Sequence, residues 1–209
     1  MENLSEIYAL IDSKDETNIQ LAFAMWSGID NAGFEAFKME WAGVLIVAEM
    51  GIVEYFLRNG LSVNLVGKKL KNLPKLPSFF LSLFCYNNRL TALPTLPATL
   101  QRLDCDNNYL TALPTLPSAL QELYCYNNQL TVLPALPSAL QILDCDNNYL
   151  TALPALPSAL QRLDCQNNKL TALPALPEAL QILGCYDNRL TEKPTVPEGC
   201  DLYYGVQRT

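Results

Sequence analysis

The chain has 209 residues, half of them apolar, with 14 Lys and Arg, 21 Asp and Glu, no His and a net charge of −7. The absence of His excludes His-dependent catalytic triads and His-based metal sites. Residues 1–59 carry the whole negative excess, with ten acidic and three basic residues. A chain of this sign binds nucleic-acid phosphates and anionic membrane surfaces poorly, so we expect neither as a partner.

Residues 1–59 have the pattern of a helical segment. Asn3 begins a motif like a capping box, Asp15 can cap a second helix, and a third helix is expected from near Asn31. Asn59, followed by Gly, is typical of a helix end. We predict that these helices cover the first coil of the fold that follows, with a second binding surface as the alternative.

The same segment bears on where the protein is found. Its apolar stretch at 41–48 is too short to span a bilayer, and the chain starts without the basic and apolar regions of a secretory signal. We therefore expect a cytoplasmic protein, and export by a non-classical route stays open.

A 20-residue repeat occupies most of the remaining chain. Cys recurs at 85, 105, 125, 145, 165 and 185, and each of these is followed, after one intervening residue, by Asn-Asn or, in the last copy, Asp-Asn. Leu103 and Cys105 alternate as in a short strand with one buried face. Pro114 and Pro117 lack an N–H and fix φ near −65°, so the return is expected to be extended and polyproline-like.

The unit L-x-x-L-x-C-x-x-N-x-L resembles the 20-residue bacterial leucine-rich-repeat subclass of injected effectors of the YopM and IpaH kinds. The resemblance runs from about Leu70 to Pro197. It implies a protein-binding concave face and, in some members, an appended ubiquitin-ligase domain. We expect no such domain here, because only about a dozen residues follow Pro197.

These observations predict an α/β solenoid. Specifically, we expect a right-handed leucine-rich-repeat superhelix with short parallel strands on the concave face, an extended polyproline-like convex side and an all-helical N-terminal cap. The predicted parts are the cap over 1–59, one degenerate and six regular coils over 60–199, and a C-terminal cap over 200–209. Cys200, Leu202 and Tyr203 are expected to form a partial closing strand.

Two columns of the repeat are expected to be structural. The cysteines face the same side as the core leucines, and buried free Cys behaves as a small hydrophobe. Adventitious oxidation of these cysteines is the main alternative. The chain contains no C-x-x-C pair, so we expect no metal site. The second Asn of each pair is expected to satisfy backbone groups of the neighbouring coil as an Asn ladder. Its members are Asn88, Asn108, Asn128, Asn148, Asn168 and Asn188.

The candidate protein-binding residues are outward positions of the strands, where aromatic coils alternate with acidic coils. Tyr offers contact area and cation–π capacity, and Asp pairs with Arg or Lys. Such a face suits a basic protein or peptide. The residues are Phe84, Tyr86, Asp104, Asp106, Tyr124, Tyr126, Asp144, Asp146, Asp164 and Tyr186.

We therefore predict a non-enzymatic protein-interaction scaffold without cofactor, metal or catalytic residues, whose oligomeric state the sequence does not fix. One alternative is a structural repeat protein, expanded by duplication, without a strong partner. Another is a secreted effector or adaptor that acts with a ligase on a second chain. Weak Ca²⁺ binding by the aspartates is a minor further hypothesis.

Overall fold

The computed structural model describes residues 62–76, 78 and 80–207. Its eight strands form one parallel sheet in chain order, which confirms the predicted solenoid of parallel strands. Its right-handed superhelical course stays a prediction. The strands are β1 (Ser62–Asn64), β2 (Ser82–Phe84), β3 (Arg102–Asp104), β4 (Glu122–Tyr124), β5 (Ile142–Asp144), β6 (Arg162–Asp164), β7 (Ile182–Gly184) and β8 (Asp201–Tyr203).

The strand register follows the sequence period. Leu103 pairs with Leu123 one coil later, and the same step holds until β8, where Leu183 pairs with Leu202. The middle residue of each strand from β1 to β7 is buried. Because side chains alternate along an extended chain, the residue two positions later also enters the core.

Leucine and cysteine form that core together. Cys85, Cys105, Cys125, Cys145, Cys165 and Cys185 are buried free thiols, as expected, and Cys200 at the last coil is half-buried. Burial raises the pKa of the Cys185 thiol to about 11. Thiols in such surroundings are poor nucleophiles, because the thiolate is disfavoured.

The return of each coil contains no helix, as its prolines predict. Residues 112–117 form neither helix nor strand, while Leu113 and Leu116 are buried. A tight turn follows, in which the Leu120 N–H donates to the Pro117 carbonyl at 3.1 Å. The described residues contain no α-helix, and none of them forms a helix long and apolar enough to cross a bilayer.

The two Asn residues of each pair differ in conformation and contacts. The first residue of each pair from 87–88 to 187–188 has a left-handed backbone with φ between 50° and 57°, a conformation that Asn and Asp tolerate better than most residues. The second is buried. Asn108 Oδ1 accepts the Leu90 N–H at 3.0 Å, and its Nδ2 donates to the carbonyls of Cys85, Cys105 and Asp106. The same contacts recur at Asn88, Asn128, Asn148, Asn168 and Asn188.

The last coil ends this ladder with a different residue. Gln207 lies one coil beyond Asn188, where its Oε1 accepts the Leu190 N–H at 3.3 Å and its Nε2 donates to the Tyr204 carbonyl at 2.9 Å. Strand β8 lies where the closing strand was expected. The predicted helical cap over 1–59 is outside the described residues, and the three domain boundaries stay predictions.

Candidate functional site on the strand face

Three rows of side chains point outward from the sheet, and we call this surface the strand face. Neighbouring members of a row are one coil apart, about 4.8 Å. In the second and third of these rows, aromatic and acidic coils alternate over the first four coils, and one further acidic residue, Asp164, follows. The first row is Ser82, Arg102, Glu122, Ile142, Arg162 and Ile182. The middle row is Phe84, Asp104, Tyr124, Asp144, Asp164 and Gly184, and the third row is Tyr86, Asp106, Tyr126, Asp146, Gln166 and Tyr186.

Not all of the aspartates face water as the sequence suggested. Asp106, Asp146 and Asp164 are only 4%, 8% and 6% exposed, so the expectation is wrong for these three. Aspartate is short, and the longer side chains on adjoining coils cover it: Gln166, for example, donates to Asp146 Oδ2. Asp104 and Asp144 are half-buried together with Phe84, Tyr86, Tyr124 and Tyr126, and Tyr186 is exposed.

Asp104 and Asp106 form the first of two aspartate rungs. Asp106 Oδ1 accepts the Tyr126 N–H at 2.8 Å, and Asp104 Oδ1 is buried without a hydrogen-bond partner among the described residues. Burial, with repulsion from Asp104 and Asp144, raises the pKa of Asp106 to about 9. Burial also raises the pKa of Asp104. The pair therefore retains a proton at neutral pH.

Asp144 and Asp146 form the second aspartate rung. The Asp146 N–H donates to Asp144 Oδ1 at 3.3 Å. Burial, with repulsion from Asp144 and Asp164, raises the pKa of Asp146 to about 8, and burial raises that of Asp144 to about 6. Asp146 Oδ1 is buried without a hydrogen-bond partner among the described residues. This rung thus holds an unfilled acceptor beneath the strand face.

Arg102 occupies an aromatic and acidic slot between two coils. Its guanidinium carbon lies 5.3 Å from the ring centroid of Phe84 and 4.8 Å from that of Tyr124. Its Nη1 pairs with Glu122 Oε2 at 2.5 Å, and the Tyr124 hydroxyl donates to the same oxygen at 3.2 Å. Arg102 and Glu122 stand at outward positions of the same strands, and the period places Arg102 diagonal to both rings.

A second arginine and a glycine shape the other end of the strand face. Arg162 Nε contacts Asp164 Oδ2 at 2.5 Å. A Cβ at Gly184 would lie 2.4 Å from Gln166 Oε1 and 2.7 Å from Asp164 Oδ1, so only glycine leaves these two side chains their positions. A glycine inside a strand is a signal of such close approach, and it could have marked this position from the sequence.

The strand-face aspartates do not converge as the ligands of a Ca²⁺ ion would. No group of three or more Cys, Asp or Glu side chains in the described part of the chain is arranged to hold a metal ion.

Comparisons with known proteins place these features in a family. A family model for leucine-rich repeats in two copies matches residues 118–158. A solved structure of a Shigella effector LRR domain is 34% identical with a TM-score of 0.66, and the match covers 74% of this chain and 69% of that domain. A comparison with curated protein sequences found no match.

Two structures of YopM are similar over most of this chain. YopM from Yersinia enterocolitica WA-314 is 32% identical, and YopM from Yersinia pestis, described as a leucine-rich effector protein, is 33% identical, each with a TM-score of 0.67 and 89% of this chain covered. This chain spans only 40% and 52% of their lengths. Because the Shigella effector domain is more than 30% identical and this chain covers more than two thirds of it, the chain belongs to the bacterial leucine-rich-repeat family that includes the repeat regions of YopM and the Shigella effector domain.

Proposed function

We propose that this chain is a non-enzymatic interaction scaffold that binds a basic protein or peptide across its strand face, which we expect to be concave. The observation that carries the proposal is the slot around Arg102. There, two aromatic rings and the Glu122 carboxylate already hold a guanidinium group. Aromatic rings and carboxylates of this kind can also bind the arginine and lysine side chains of a partner.

The spacing of the strand face suggests how such a partner could lie. The two aspartate rungs are two coils apart, about 10 Å, with Tyr124 and Tyr126 on the coil between them. A peptide in the polyproline II conformation has three residues per turn and rises about 3.1 Å per residue, so basic residues three positions apart would lie on one side and reach both rungs. The intervening tyrosines offer apolar contact with a polar tip, as in many binding surfaces.

The relatives support the same class of function. Both the Shigella domain and one of the YopM structures are described as effector proteins or their domains. Leucine-rich-repeat solenoids present an extended surface that suits binding of another protein. Partner identity does not transfer with the fold, so the basic character of the partner is proposed from this chain's own side chains.

A peptide-binding measurement tests the proposal. The probe is a labelled nine-residue peptide with Arg at every third position, and the control peptide has the same composition with its arginines adjacent. We expect the spaced peptide to bind more tightly in low salt. The variant Asp104→Asn/Asp144→Asn/Tyr124→Ala/Tyr126→Ala should weaken this binding at least tenfold, because it removes both ionisable charges and ring contacts.

A matched variant on the returning side controls for non-specific effects. Thr111 and Thr151 are exposed there, so Thr111→Ala/Thr151→Ala should bind as the unchanged protein does. Circular dichroism must show that both variants keep their fold. Equal affinity of the strand-face variant, or no binding by the unchanged protein, would favour a structural repeat protein instead.

A further inference from the structure

We infer that a basic partner binds the strand face with release of protons from the two aspartate rungs, so that its affinity increases with pH around neutrality. The inference rests on the proposed function and adds its regulation. It concerns the state of the carboxyl groups before the partner arrives, which hydrogen bonding and burial determine.

In the first aspartate rung, two carboxyl groups share a poorly solvated site. Asp106 is 4% exposed, and the charge of the nearby Asp104 repels it when both are ionised. Asp104 Oδ1 is also buried and has no hydrogen-bond partner among the described residues. Ionisation of both groups would therefore leave two repelling charges and a buried oxygen without a donor, which favours a proton on one of them.

In the second aspartate rung, an acceptor is left unfilled beneath the surface. Asp146 is 8% exposed, and its Oδ1 has no hydrogen-bond partner within the described residues, whereas its other oxygen accepts from Gln166. A buried carboxylate oxygen without a donor is costly when it is ionised. Protonation relieves this cost in the free protein, and a guanidinium or ammonium donor relieves it in the complex.

The surroundings offer the rungs little positive charge. On the same coils lie Arg102 and no other base, and this arginine already pairs with Glu122. On the following coil, Arg162 contacts Asp164. The other ionisable groups that face the rungs from the adjoining coils are Tyr86, Glu122, Tyr124, Tyr126 and Asp164. Beneath the sheet lie the thiols of Cys85, Cys105, Cys125, Cys145 and Cys165.

The direction of the pKa shifts agrees with this geometry. The pKa values of Asp106 and Asp146, about 9 and about 8, leave both groups largely protonated at pH 7. A bound cation favours the ionised carboxylate and lowers these pKa values. Protons therefore leave on binding. For each proton released, the binding constant increases up to tenfold per pH unit below the pKa of the free protein.

Isothermal titration calorimetry with the spaced Arg peptide tests this coupling. Titrations at pH 7 in phosphate, HEPES and Tris separate the heat of buffer protonation from the heat of binding, and the slope gives the number of protons released. We expect between one and two protons. We also expect the affinity to increase at least fivefold from pH 6.5 to pH 8 at constant ionic strength.

Variants locate the effect. Asp106→Asn/Asp146→Asn keeps an acceptor oxygen at each site but cannot lose a proton, so its affinity should change less than twofold over the same pH range. Asp201→Asn removes an exposed carboxylate on β8, beyond the rows of the strand face, and should release protons as the unchanged protein does. Infrared spectra should show a protonated carboxyl band at pH 7 in the free protein that the double variant lacks.

The possible failures are distinguishable. Binding with no proton release and no pH dependence would overturn this inference and leave the proposed function standing. No binding of either Arg peptide at any pH from 6.5 to 8 would overturn both. Proton release that persists in the double variant would also overturn the assignment to these rungs.

Discussion

Among single residues, Asp106 has the clearest consequence for the stability of the fold. Its pKa of about 9 in the folded chain exceeds the ordinary value of 3.8, chiefly because of burial. Between these two pH values, the folded chain therefore keeps a proton that the unfolded chain has lost. The contribution of this proton to stability is fully present below about pH 4 and declines as the pH increases towards about 9.

Replacing Asp106 by Asn should remove this pH response. Asn keeps an acceptor for the Tyr126 N–H and carries no charge at any pH. We expect Asp106→Asn to raise Tm at pH 8 by about 2–4 °C and to leave Tm at pH 4 nearly unchanged. Thermal unfolding followed by circular dichroism measures both, with Asp201→Asn as the exposed control. A lower Tm at pH 8 would contradict the assignment of a buried proton to Asp106.

At the scale of the coil, the Asn ladder joins each repeat to the one before it. Asn148 accepts the Leu130 N–H and donates to the carbonyls of Cys125, Cys145 and Asp146. One side chain therefore satisfies buried backbone groups on two coils. Loss of a buried partner costs about 1–3 kcal/mol for each group left unsatisfied.

Truncation of this side chain should destabilise the solenoid strongly. We expect Asn148→Ala to lower the free energy of unfolding by about 3 kcal/mol, because no other side chain replaces these hydrogen bonds. Urea unfolding provides the measurement. Gln129→Ala, at an exposed position beside the same ladder, should change stability by less than about 0.5 kcal/mol. Equal effects of the two substitutions would show that the ladder contributes little.

The coils were predictable because the repeat has a fixed period, so the structure predicted for one copy applies to all copies. Alternation of Leu103 and Cys105 predicts the strand, and Pro114 and Pro117 exclude a helix from the return. Gln207 was not predicted as the next member of the ladder, because the step from β7 to β8 is one residue shorter than the repeat period. Counting a full period from Asn188 therefore misses Gln207 by one position. The first Asn of each pair was missed, although left-handed turns favour Asn.

At the scale of the whole molecule, the strand face was predicted as a set of positions but not in its chemistry. The register shows which side chains are neighbours. It does not show that Gln166 bends over Asp146, or that Arg102 lies between two rings, because these depend on side-chain rotamers. Burial of three aspartates follows from such covering contacts. The result is a surface with fewer free charges than its sequence suggests.

The most direct measurement of the central claim is an NMR footprint of the spaced Arg peptide on the isotope-labelled protein. We expect chemical-shift changes at Asp104, Tyr126 and Asp144, on neighbouring coils of the strand face, and none at Thr111 and Thr151 on the returning side. Changes concentrated on the returning side, or no changes when the peptide is in excess, would contradict the claim that this chain binds basic partners through its strand face.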